Sequence, residues 1–267
     1  MNNSFPLRAG WTDALPRPFR RALGILLALV PAPALAATLA LSLAADAVLY
    51  EDAAGTTANG AGEFLLAGRT NQAAGSRRRS LLRFDAGALP ADAVITGVSL
   101  RLFLFAVTTA ETDLQLHRLT RPWTEGPADP AGNESGGAAA LAGDVTWRHT
   151  HFDQSLWTSP GGDAAGDPSA TLPAGTASGF LTWTGPGLTA DLTAWVADPS
   201  LNAGWLLRDA ETVPQTAKRF ASGDHADPAL RPVLTIEFTP VPEPSAASLL
   251  LAAFGLLSRR TRPAGRS

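Results

Sequence analysis

The chain has 267 residues, 45% hydrophobic and 17% charged, with 25 Gly, 21 Pro and no Cys. That length holds one large domain or two small ones; the missing cysteines exclude a disulfide framework, and the Gly- and Pro-rich balance favours strands and turns. The formal net charge of −3 hides a partition, since four arginines precede Ala37 against one acid and four follow Ser258 with none, so the stretch between is strongly acidic and unsuited to general nucleic-acid binding, which needs a basic face to release counterions.

The first element is an export signal. Arg17, Arg20 and Arg21 form a positive region, residues 22–30 an apolar one, and Ala34-Leu35-Ala36 a small-x-small cleavage site, which is the pattern of a secretory signal peptide. Pro31 and Pro33 interrupt the apolar run before that site, against a spanning helix. Cleavage after Ala36 leaves a mature chain beginning at Ala37. Signal peptidase is the partner expected at this step.

From Ala37 to residue 240 the chain reads as one strand-rich domain with a single core. Strands are predicted at 47–50, 63–67, 80–85, 94–106, 113–119, 145–147, 180–183, 204–208, 217–221 and 233–238, separated by Gly/Pro/Asn/Asp turn clusters. In the strongest, Val98, Leu100, Leu102 and Leu104 share one parity, while Ser99, Arg101, Phe103 and Phe105 share the other. Residues 189–197 form the one predicted helix, stopped by Asp198-Pro199. The Gly/Ala/Pro-rich stretches 126–143 and 159–179 read as surface loops. About ten short strands with regular turns predict an all-β antiparallel jelly-roll sandwich, flanked by apolar targeting helices at both ends.

Few residues point to chemistry. His149, His151 and Asp153 share a strand face as possible metal ligands, or form a polar loop edge between Trp147 and Trp157. Trp123-Thr124-Glu125 offers one carboxylate where glycoside hydrolysis needs two. No nucleophile elbow, zinc motif or phosphate loop occurs, so a non-catalytic protein is expected. Of the six tryptophans in the body, Trp147, Trp195 and Trp205 are expected in the core. Arg79 and Arg83 share a strand face, and Arg101, if on a neighbouring strand, joins them in a cationic strip. Arginine forks grip carboxylates bidentately, so an acidic polysaccharide is the expected partner, with cross-strand ion pairing as the plain alternative.

The body resembles DNRLRE-domain proteins. The similar segments, in order, are 46–50, 59–62, 80–85, 95–102, 122–125, 145–147, 202–205 and 231–238; the hexapeptide that names that family does not occur here. The resemblance implies a jelly-roll sandwich related to carbohydrate-binding modules, some of which bind acidic polysaccharides such as alginate. By analogy with related sandwiches it suggests no cofactor beyond a structural calcium near Asp46, Asn59, Gly60 and Gly62.

The chain ends Thr-Pro-Val-Pro-Glu-Pro-Ser, then an apolar run at 246–257, then Arg259, Arg260 and Arg262. About 12 residues of helix span roughly 18 Å, short of a bilayer core of about 30 Å, and the arginines hold its end at the cytoplasmic face. This order resembles a PEP-CTERM sorting signal built on Pro242, Glu243 and Pro244. The resemblance implies processing by an exosortase after transient inner-membrane anchoring through residues 241–267. It also implies delivery to the outer surface or extracellular matrix of a Gram-negative bacterium.

Overall fold

The structure, a computed structural model, describes residues 35–107 and 109–240. They build fourteen strands: β1 (Ala37–Tyr50), β2 (Thr57–Ala58), β3 (Phe64–Arg69), β4 (Arg77–Phe84), β5 (Val94–Leu104), β6 (Thr112–Arg118) and β7 (Ala138–Ala139), then β8 (His149–His151), β9 (Ser155–Leu156), β10 (Ala170–Ala174), β11 (Gly179–Thr184), β12 (Trp205–Arg208), β13 (Lys218–Ala221) and β14 (Val233–Thr239). The one α-helix among these residues is α1 (Pro186–Ala197). Every strand pairing among them is antiparallel, so the domain is all-β. The two expected targeting helices, at 22–30 and 246–257, lie outside the described residues, and no described helix is long and apolar enough to cross a membrane.

Two antiparallel sheets carry the architecture. In the first, β5 lies between β11 on one side and β14 on the other, with β13 and β3 continuing past the end of β14. In the second, the order is β1, β4, β12, β6, β10. β1 belongs to both: Ala37 to Ser42 pair with β14, and Leu43 to Tyr50 pair with β4, across a register shift between Leu43 and Ala45. An irregularity of this kind re-aims a strand, which lets one chain segment cross from sheet to sheet.

The alternation of β5 holds. Val98, Leu100, Leu102 and Leu104 pack with Leu234 and Ile236 of β14 against Leu82 and Phe84 of β4, Leu114 and Leu116 of β6, and Trp205 and Leu207 of β12. α1 closes one end of this core. Pro186 stands in its first turn, where a missing N–H costs nothing. Leu188, Leu192 and Trp195, spaced four and three apart, face inward, and the Trp195 ring centroid is 4.5 Å from that of Trp205.

A second apolar cluster corrects the expectation of a single core. Both faces of the second half of β1 are buried: Val48 and Tyr50 enter the main core, while Ala45, Ala47 and Leu49 join Leu81, Leu119, Trp123, Val145, Trp147, Trp157 and Leu206. Much of residues 119–165 is therefore a cover over the outer face of the second sheet. Three further corrections follow. Residues 145–147 form no strand; the short strand lies at β8. Ala170–Ala174, read as loop, pairs along β6 as an edge strand, where Pro173 is tolerated because the missing donor faces no partner. The stretch 126–143 contains β7, which pairs with β2.

Candidate functional site

Three arginines stand out in the sequence, and the structure separates them. Arg79 and Arg83 lie on β4 with their side chains on the outer face of the second sheet, whereas Arg101 lies on β5 in the first sheet. β5 pairs with β11, β13 and β14 and never with β4, so the expected three-arginine strip is not assembled.

Arg79 is saturated. Its Nε donates to Glu211 Oε1 at 2.6 Å, Nη2 to Glu211 Oε2 at 2.7 Å and Nη1 to the Gly161 carbonyl at 2.6 Å. Its guanidinium also stacks 4.7 Å from the Trp147 ring, and the residue is 9% exposed. Arg77 reaches the same carboxylate at 3.4 Å. The partner that matters, Glu211, is 132 residues away in sequence and carries no local signal. It sits at φ 55, a backbone region uncommon for a residue with a Cβ, held by its N–H donating to Asp209 Oδ1 at 2.7 Å. Arg83 stacks 5.5 Å from the Trp123 ring and forms no ion pair among the described residues.

Arg101 belongs to a different surface. On the outer face of the first sheet, β5 and β11 place Phe103 opposite Phe180 and Arg101 opposite Thr182. Aromatic rings continue from there in a ladder: Phe180 to Phe103 at 5.1 Å, Phe103 to Phe105 at 5.1 Å, Phe105 to Phe64 at 5.3 Å, and His225 packed 5.4 Å from Phe105. All these contacts are edge-on or tilted, the geometry that ring quadrupoles favour. A cation caps each end. The Arg101 guanidinium lies 4.3 Å from the Phe180 ring, and that of Arg219 lies 4.6 Å from Phe64 and 5.4 Å from Phe105.

The two cations differ from Arg79 in what they leave free. Neither forms an ion pair or a side-chain hydrogen bond among the described residues. With no carboxylate or side-chain hydrogen-bond partner among the described residues, each guanidinium keeps its donors available to a carboxylate or sulfate. Phe180 is 45% exposed. A ring that size in water beside an unpaired cation is an unusual arrangement for a face with no ligand.

The row runs on in the other direction through Thr184 opposite Ser99. There it opens into a groove of about 890 Å³ between α1 and the edges of β5 and β14, with hydroxyls from Thr96, Ser99, Thr184, Thr189 and Thr193 and the carboxylate of Glu237. Sequence reasoning placed Arg101, Phe103 and Phe105 on one face. It missed Phe64, Phe180, Arg219 and His225, because their meeting depends on strand neighbours far apart in the chain.

The remaining candidates are occupied by internal contacts. All six tryptophans of the body are buried, including Trp123, Trp157 and Trp183, so the rings available to a ligand are phenylalanines. His149 hydrogen-bonds Thr146 Oγ1 at 3.0 Å, and His151 Nδ1 lies 3.1 Å from Ser155 Oγ. Asn59 uses both ends of its amide: Oδ1 accepts from Gly62 N–H at 2.9 Å, and Nδ2 donates to Glu134 Oε2 at 2.9 Å. Asp46 Oδ2 accepts from Gly223 N–H at 2.6 Å. Burial, with the nearby carboxylates of Glu125, Asp224 and Glu134, pushes the Asp46 carboxyl up to about 8. The Asn59 amide is spent on these contacts, and no group of three or more possible ligands converges among the described residues. Of the terminal signal residues, Ala36 immediately precedes β1, while Ala34, Pro242, Glu243 and Pro244 lie outside the described residues.

No family model matches the chain, and no curated protein matches it either.

Proposed function

We propose that this protein is an exported, non-catalytic β-sandwich of jelly-roll type that binds an acidic polysaccharide along the outer face of its first sheet. In this reading the ring ladder from Phe180 to Phe64 stacks against sugar faces, and Arg101 and Arg219 grip carboxylates. The hydroxyl-lined groove beside α1 takes the continuing chain. The observation that carries the proposal is the pair of ring-stacked guanidinium groups with unclaimed donors beside exposed phenylalanine. β1 begins at Ala37 and β14 ends at Thr239, and in sequence the proposed signal peptide and the PEP-CTERM-like tail lie on either side of them. Sorting to the envelope surface or matrix through the exosortase route follows from the tail's resemblance alone.

The test is calorimetry of the full chain with oligomers of a uronic acid polymer and of a neutral glucan. Uronate oligomers are expected to bind, more weakly as salt is added, and the Arg101→Ala, Arg219→Ala double variant is expected to lose that binding while melting as the parent does. Equal binding of the neutral oligomer, or indifference to both substitutions, removes the proposal. A structural matrix or adhesion role is the second reading, favoured by the exposure of Phe180, which equally suits contact with another protein. No uronate binding at low salt, with self-association lost on Phe180→Ala, would select it.

A further inference from the structure

The first sheet ends at β11, which pairs with β5 without a register shift and with no other strand among the described residues. The direction of its backbone groups follows from its neighbour. Phe105 N–H donates to the Arg219 carbonyl of β13 at 2.9 Å, so the alternate residues Phe103, Arg101 and Ser99 aim their N–H and C=O groups toward the β13 and β14 side. Leu104, Leu102 and Leu100 aim theirs at β11, where their partners are Gly179, Leu181 and Trp183. The N–H and C=O groups of Phe180, Thr182 and Thr184 therefore point away from the sheet, and all three residues are exposed.

Free edges are ordinarily blunted by charge, proline, a bulge or shortness. The edge strand of the second sheet, β10, carries Pro173. β11, Gly-Phe-Leu-Thr-Trp-Thr, has none of these devices, and its Phe180 is 45% exposed. The sequence also says what fits. A partner must offer a strand with the same alternation of outward groups, and β11 turned about a twofold axis at Thr182 does so. Thr182 then meets its own counterpart, and Phe180 meets Thr184 on either side. Three such residue pairs exchange about six backbone hydrogen bonds. Thr–Thr and aromatic–β-branched contacts are among the favoured cross-strand neighbours. Like charges stay apart: Arg101, opposite Thr182, comes to lie three strand spacings, about 14 Å, from its counterpart, beyond the screening length of about 8 Å at physiological salt.

We propose that this chain dimerises through β11, joining the two first sheets into one continuous antiparallel sheet. The inference rests on neither ligand reading. The edge lies in the plane of the sheet and the ring ladder on its face, so the dimer sets two ladders side by side.

Sedimentation velocity of the full chain over a dilution series tests this, with amide hydrogen exchange on the same samples. A monomer–dimer equilibrium is expected. It tightens with added salt, because both copies carry the same net charge, whereas uronate binding weakens. Exchange at Phe180, Thr182 and Thr184 slows as concentration rises, while Leu181 and Trp183 are protected throughout. Thr182→Pro removes one outward N–H from each copy and leaves the bonds to β5 in place. It is expected to weaken the dimer by about ten- to a hundredfold, with the diluted monomer melting as the parent does. Should that variant fail to fold, Thr182→Lys, which sets two like charges face to face on the axis, gives the same loss. The Arg101→Ala, Arg219→Ala variant keeps the dimer. A dimer without uronate binding sustains this inference and removes the ladder reading; a chain that is monomeric at every concentration and binds uronate does the reverse. A dimer indifferent to both Thr182 variants, or one in which Phe180, Thr182 and Thr184 exchange as fast as in the monomer, also overturns the proposal.

Discussion

Arg79 and Glu211 meet in a two-pronged ion pair, 2.6 and 2.7 Å, under the cover of the second sheet. The side chains are 11% and 6% exposed, so solvent screens the pair little. Glu211→Gln leaves a buried guanidinium without its counter-charge, and loss of one partner of a buried pair costs about 3–5 kcal/mol. Arg101→Ala on the other sheet removes an exposed group and is expected within about 0.5 kcal/mol of the parent. Urea unfolding of the two variants checks the contrast; equal stabilities would mean that Arg79 is no more anchored than Arg101.

The stability of the domain is expected to fall as pH rises from about 4 to about 8. Asp46 is raised from its ordinary 3.8 to about 8 by burial, so in that window the folded state holds a proton that the unfolded chain has released. Proton binding by the folded form means that alkalinisation favours unfolding. Glu125 and Glu134, also raised by burial, act in the same direction, while His117, lowered by burial, opposes them below its ordinary 6.5 with a smaller effect than the Asp46 shift. Asp52 and Asp163, lowered by backbone N–H donors despite some desolvation, add stability above the ordinary carboxylate range that is lost only in stronger acid. Melting temperatures across pH 5 to 8 should therefore decline, and Asp46→Asn should flatten most of the slope. A profile that rises toward pH 8 contradicts the assignment.

Phe180→Ala is expected to spare the fold and weaken polymer binding. The ring is half in solvent, so little apolar area returns to water on its removal. It is also the ring over which the Arg101 guanidinium sits, 4.3 Å from its centroid. Losing the ring costs both a stacking face and the orientation of the cation, together roughly 1–3 kcal/mol of binding. Calorimetry on a uronate oligomer reads the loss; an affinity equal to the parent's would take Phe180 out of the binding face.

Asp191 ties α1 to the sheets through three partners: Trp205 Nε1 donates to Oδ2 at 2.8 Å, Ser169 Oγ to Oδ2 at 2.5 Å, and Arg118 lies 3.3 Å from Oδ1. Asp191→Ala orphans a buried indole N–H, and a loss of about 2–4 kcal/mol is expected. Unfolding in urea measures it; a change below about 1 kcal/mol would show that water replaces the carboxylate freely.

For the termini the measurement is mass spectrometry of the secreted product. It should begin at or near Ala37, and deleting residues 242–267 should release the body or misplace it. Arg8 or Trp11 in the extracellular protein, or unchanged surface display after the deletion, would refute the respective signal.

Local pattern was enough to place β5, β6, β12, β14 and α1, because period-two and period-3.6 apolar spacing is imposed by residues that are neighbours in the chain. The same spacing put Arg79 and Arg83 on one face and Arg101 with Phe103 and Phe105 on one face. What it could not give was the far side of each face. Residues 126–143 and 159–165 read as loop and 145–147 as a strand, because the apolar residues of 119–165 follow no period; they belong to a cover whose tryptophans are buried against β1 and β4. Ala170–Ala174 was hidden by its proline, which an edge strand accepts. The availability of each arginine rests on contacts across long stretches of chain: Glu211 closes on Arg79, while Phe180 and Phe64 arrive from β11 and β3 to hold Arg101 and Arg219 with their donors free. Tertiary structure alone makes that distinction, since an identical guanidinium becomes a strut or an open fork according to whether folding delivers a carboxylate or a ring.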